Sequence, residues 1–170
     1  MGMDNENERI VRTLMMRTTP RSLLFFDVEI VSHCNLNCKS CASFSPLVEE
    51  QEFLDIDNYE KDLKRLSKLA EGEVHHINIL GGEPLLHPRV TEFLKLTRSY
   101  FPTGIVRLVT NGILLKGMDE SFWGVCRDYK IIVAPTKYPI TIEYAELEQI
   151  AQKRGVTFQY FGDVPKAGGW

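Results

Sequence analysis

Cys34-Asn35-Leu36-Asn37-Cys38-Lys39-Ser40-Cys41 follows the strand-like run Leu24–Val31 and sets three thiols in a C-x3-C-x2-C spacing. Three cysteines cannot all pair as disulfides. They also fall one short of the four thiolates that close a typical structural zinc or iron–sulfur site. Clustered beside a strand, in a chain with four cysteines in all, they read as metal ligands of a reducing compartment and not as a disulfide framework. Cytoplasmic localisation is the expectation. Cys126 lies apart in a helical pattern, where a free thiol commonly serves as a small buried hydrophobe.

Outward from this loop, strand-like and helix-like segments alternate. The runs 24–31, 74–80, 105–109, 130–134 and 156–161 are short and rich in β-branched and aromatic residues. Between them lie helical patterns. Asp57 with Glu60 forms a candidate capping box ahead of a face carrying Tyr59, Leu63, Leu66, Leu69 and Ala70. Pro88 suits the first turn of a helix bearing Val90, Phe93, Leu94, Thr97 and Phe101. The run 119–129 predicts a shorter helix with Phe122 and Cys126 inward. Thr141 is the expected cap of a last one, with Tyr144, Leu147, Ile150 and Ala151 in a stripe. This order predicts an α/β fold of parallel strands with right-handed helical crossovers, about five β/α units long. Residues 1–22 read as a polar N-terminal extension and 23–170 as the core, closing on a Gly- and Pro-bearing loop.

Composition narrows the function. The chain has 170 residues, 44% hydrophobic and 25% charged, with a formal net charge of −3. That is ordinary for a globular domain and leaves no basic stripe for nucleic acid. No apolar run approaches a membrane span, and residues 1–22 show no secretory pattern.

In β/α folds the loops at the carboxyl ends of the strands share one rim, where active sites are built. Four loops with unusual chemistry are expected there: the cysteine loop, Gly81-Gly82-Glu83-Pro84, Thr110-Asn111-Gly112 and Pro135-Thr136-Lys137. Gly81 and Gly82, lacking Cβ atoms, let main chain approach a ligand closely. Glu83 offers an acceptor for an ammonium group, and Pro84 stiffens the exit. The strands add a second clue. Asp27 and Glu29, His76 and Asn78, Arg107, and Thr157 and Gln159 alternate with apolar positions, which places each polar set on one face. They are expected to line a polar lumen, with Val28, Ile30, Ile77, Ile79, Val106, Leu108 and Phe158 packed under the helices.

The cysteine spacing together with Gly81-Gly82-Glu83-Pro84 resembles the radical S-adenosylmethionine (radical SAM) enzymes. The resemblance implies a partial (β/α) barrel of six units, incomplete here before the sixth strand. It implies a [4Fe–4S] cluster on Cys34, Cys38 and Cys41, whose unligated iron chelates S-adenosyl-L-methionine. SAM contacts are implied for Ser40, Gly81, Gly82, Glu83, Pro84, Thr110, Asn111 and Thr136, with Lys137 within reach. Many relatives carry an aromatic residue where this chain has Ser40, and Phe44 is the expected substitute as a shield for the cluster. The implied chemistry is reductive cleavage of SAM to a 5′-deoxyadenosyl radical that abstracts hydrogen from a C–H bond. The implied partners are a low-potential donor, flavodoxin or ferredoxin, and a substrate that is a small molecule or a peptide. Two other classes stay open: a zinc-stabilised module drawing on His33, His75, His76 or His87, and an iron–sulfur electron carrier.

Overall fold

The computed structural model describes residues 23–71 and 73–162. The N-terminal extension and the end of the closing loop lie outside the described residues. Four strands, β1 (Leu23–Glu29), β2 (Val74–Leu80), β3 (Ile105–Thr110) and β4 (Ile132–Pro135), form one sheet in the order β1-β2-β3-β4. Every pairing is parallel. Each crossover carries a helix: α1 (Ile56–Leu69), α2 (Val90–Tyr100) and α3 (Glu120–Asp128), with α4 (Tyr144–Lys153) after β4. The expected fifth strand runs beside β4 as a single parallel bridge, Val133 to Phe158. Its backbone bonds are Val133 N–H to Thr157 O, Gln159 N–H to Val133 O and Phe161 N–H to Pro135 O.

The alternation in the strands sorts the two faces of the sheet. Ile77, Ile79, Val106, Leu108 and Val133 are fully buried and join Leu63, Phe93, Leu94, Phe122 and Trp123 of the helices in one core. Cys126 belongs to this core, and burial pushes its thiol up to about 12. The expected inward faces of α2 and α3 are buried. On α1, Tyr59 and Leu63 are buried but Leu69 is 75% exposed.

Three helix starts differ from the sequence reading. The cap of α1 is Asp55, whose Oδ1 accepts from Asn58 N–H at 2.9 Å, and Asp57 falls in the first turn. The cause lies upstream: Phe53 bridges antiparallel to Val31, and Leu54 N–H bonds to Ile30 O. That pairing fixes the chain up to the residue before Asp55. Thr141 does not cap α4. Glu143 occupies the N-cap position without a side-chain bond, and Pro88 lies just ahead of α2, whose N-cap position is taken by Arg89.

Candidate cofactor site at the carboxyl rim

The cysteine loop grows from an extension of β1 that is gripped on both sides. On one side Ser32 N–H bonds to Glu52 O, and on the other Ile30 N–H bonds to Leu80 O. Beyond that, Gly82 N–H bonds to Val31 O at 2.9 Å and Glu83 N–H to His33 O at 3.0 Å. The two glycines make this approach possible. A Cβ on Gly81 would strike the Val31 carbonyl and one on Gly82 the His33 carbonyl, and Gly81 holds φ +147°. Close approach to a ligand was the expected use of this pair. The structure uses it first to press two loops together.

Glu83 ties the rim from below. Its carboxylate is fully buried and accepts three bonds: Thr110 Oγ1 at 2.7 Å, Asn111 N–H at 2.8 Å and Leu85 N–H at 3.1 Å. Burial holds the carboxyl above its usual range, against the pull of these donors. Asn111 then reaches across to the cysteine loop, donating Nδ2–H to Asn35 Oδ1 at 2.6 Å and lying 3.7 Å from Cys34 Sγ. Thr136 N–H bonds to Thr110 O, which joins the loop after β4 to the one after β3.

These bonds enclose a cavity of about 260 Å³. Cys34, Cys38 and Cys41 line it together with Ser40, Gly81, Gly82, Thr110, Asn111 and Thr136. Glu83 and Pro84 are buried but do not line it; they stand behind the wall. Phe44, at φ 52°, is 67% exposed and also does not line it; its backbone N–H bonds to Cys41 O. Lys137 has its ammonium 3.7 Å above the Tyr160 ring.

Tyr138 lines the same cavity and carried no motif signal in the sequence. Its backbone N–H donates to Tyr144 Oη, which itself donates to Thr136 O. Burial raises the Tyr138 phenol, and the field of Cys38, Cys34, Cys41 and Glu83 adds to the rise. All three thiols therefore act on one hydroxyl. The one available hint was its place just past β4, beside residues already expected on the rim. Cys34 is pushed up by burial, with Glu83 and Cys38 adding, while Leu36 N–H and the Asn111 amide pull it down.

His87 and His76 are engaged away from the cavity. His87 is buried, with Nδ1 accepting from Arg89 N–H and Nε2 facing Leu54 O at 3.2 Å. It stacks edge-on with Phe53, which in turn meets His33. His76 lies against Arg107. Among the described residues, no group of three His, Cys, Asp or Glu side chains is placed to hold a single metal ion.

Residues 28–158 match the family described as the Radical SAM superfamily. The chain belongs to the radical SAM superfamily. GTP 3′,8-cyclase of Helicobacter pylori (strain HPAG1) is 36% identical over 100 residues, which cover 58% of this chain and 30% of that protein. GTP 3′,8-cyclase of Nautilia profundicola is 31% identical over 96 residues, again 30% of its length. The chain thus spans about a third of the curated relatives it matches. Among solved structures, Streptococcus suis SuiB bound to S-adenosylmethionine aligns with a TM-score of 0.65 at 16% identity, covering 91% of this chain and 37% of that one. BtrN in complex with AdoMet and 2-DOIA aligns at 0.61 and 23% identity, covering 84% of this chain and 58% of that one. At these identities the likeness is one of fold: a parallel, unclosed part of the radical SAM barrel. Radical SAM enzymes use a [4Fe–4S] cluster and S-adenosylmethionine, and these are the cofactors of this family member. None of the described helices is long and apolar enough to cross a membrane.

Proposed function

We propose that Cys34, Cys38 and Cys41 hold the cluster and that the cavity they line receives SAM. The reading is carried by one observation: three thiols of a single short loop share a cavity with the glycine pair and with the polar loops after β3 and β4. The donor set suits a cluster with three protein ligands, since soft thiolates are its usual ligands and Cys126 is buried in α3. When bound, the cluster and SAM supply reductive cleavage of a C–S bond and a 5′-deoxyadenosyl radical. The protein's share is orientation and exclusion of water. Main chain at Gly81 and Gly82, the hydroxyls of Ser40, Thr110 and Thr136, and the amide of Asn111 are the groups offered to SAM. Glu83 and Pro84 hold that wall in place from behind, Glu83 through its bonds to Thr110, Asn111 and Leu85.

In this reading the chain starts radical chemistry on a small molecule or peptide, in the reducing cytoplasm, with an electron from a flavodoxin- or ferredoxin-like donor. The cyclases named above are matched over about a third of their length. The class of chemistry, and not their substrate, is carried over.

Anaerobic reconstitution with iron and sulfide, followed by SAM and dithionite, tests the proposal. The expected result is a brown protein that releases 5′-deoxyadenosine, with Cys34→Ala, Cys38→Ala and Cys41→Ala each losing both colour and release. Colour without SAM cleavage would favour an electron carrier, and tight zinc without colour a structural module.

A further inference from the structure

The sheet face turned away from the helices carries polar groups that the cavity does not use. Register sets Asp27, Asn78, Arg107 and Ile132 side by side across β1 to β4. The next row toward the carboxyl rim contains Glu29, Leu80, Val109 and Ala134. Leu80 and Val109 line the thiol cavity. Two residues along a strand advance about 6.6 Å, so the charged row lies one step beneath the cavity floor. In the row below it Phe25 is 57% and Ile105 41% exposed, so the described helices do not cover this face.

Within the charged row two groups are incompletely satisfied. Asn78 is 7% exposed and donates Nδ2–H to Asp27 Oδ1 at 2.7 Å, but its own Oδ1 is buried without a partner. Arg107 donates to His76 Nδ1 at 3.1 Å, which orients the guanidinium, and it has no carboxylate partner among the described residues. A buried acceptor left unpaired and a half-buried guanidinium without a counter-anion both cost free energy. One ligand bearing an anion and a donor relieves both.

We infer that this row recognises the substrate, and that the substrate carries an anionic group for Arg107 and an ammonium or comparable donor for Asp27 and Asn78 Oδ1. Asp27 and Arg107 are two strand spacings apart, about 10 Å, which sets the scale of the molecule's polar end. The guanidinium fork donates bidentately to a carboxylate or a phosphate, so the shared requirement is an oxyanion. Service as the substrate site rests on the reading of the thiol cavity given above; the ligand chemistry stands on the row itself.

The full chain, reconstituted with its cluster and labelled with heavy nitrogen in arginine, is titrated with γ-aminobutyrate, butyrate and inorganic phosphate. The Arg107 Nε resonance, assigned by its loss in Arg107→Gln, is the readout. Saturation by γ-aminobutyrate is expected at a concentration about tenfold or more below that of butyrate, as charge-assisted hydrogen bonds imply. Asp27→Asn should remove this advantage, and Asp27→Ser gives the same comparison should the amide disturb the strand. Phosphate saturating below butyrate supports the site with a phosphate-bearing substrate, and the reverse order supports it with a carboxylate. No saturable shift with any probe, or an unchanged advantage in both Asp27 variants, overturns the inference. Release of 5′-deoxyadenosine is measured on the same sample. Release without an Arg107 response overturns this inference alone. A response without release overturns the reading of the thiol cavity and leaves the ligand chemistry standing.

Discussion

The two rims of the sheet are both held by a single charged side chain, and the charges are opposite. At the carboxyl rim the buried Glu83 carboxylate gathers two backbone N–H groups and a hydroxyl. At the amino rim Arg98 gathers five backbone carbonyls, of Phe101, Pro102, Gly104, Tyr129 and Lys130, at 2.6–3.3 Å. An anion collects donors and a cation collects acceptors, so each ties neighbouring loops with one side chain. The difference lies in what is left over. Arg98 spends its fork on main chain. Glu83 works from behind a wall and frees the front, where thiols, hydroxyls and an amide face a cavity. The same device closes one end of the fold and builds a site at the other.

Substitutions can break this contrast at graded cost. Gly82→Ala drives a methyl into the His33 carbonyl and should cost about 3 kcal/mol by urea unfolding. Gly117→Ala, with open space around it, should stay within about 0.5 kcal/mol. Equal effects would mean that the glycine pair is not the clamp between the two loops.

Glu83→Gln sets an amide donor against either the Asn111 N–H or the Thr110 and Leu85 donors, and should cost about 2 kcal/mol. It should also change the pH profile. Burial holds the Glu83 carboxyl above its usual range, so the folded state keeps a proton that the unfolded state has lost. The stabilisation from that proton is complete below the ordinary carboxyl pKa and is lost as pH rises through the raised one. Urea unfolding across this window should show wild-type stability falling with pH and the variant losing that component of the fall. A parallel fall in both would contradict the buried-anion account.

Arg98→Ala strips five carbonyls of their donor, several of them near water, and should cost about 1–2 kcal/mol. Arg98→Lys should recover only part, because an ammonium cannot span acceptors that a planar fork reaches. Full recovery by lysine would reduce the amino rim to a charge effect.

Much of this was legible in the chain. Strand positions followed from short β-branched runs, and their alternation told covered from uncovered sides: Ile77, Ile79, Val106 and Leu108 are buried, while Asp27 and Arg107 stand on the other face. Other features were not legible, because their causes are distant in sequence. The local pattern pointed to Asp57 through its box with Glu60, and a pairing with residues 30 and 31 set the cap at Asp55 instead. A glycine announces that something comes close without saying what, and here it is the stem of another loop. Tyr138 carries no motif, and it lines the cavity from a loop whose backbone is held by Tyr144.

By itself the sequence determined the family, the order of elements and the cysteine triplet, because periodicity, turn chemistry and metal-ligand spacing are local properties. The tertiary structure alone decided which groups face the cavity and which brace it, and which polar atoms were left without partners on the open face. Those outcomes depend on strand register and on loops meeting across the rim, contacts between residues tens of positions apart that no local pattern encodes.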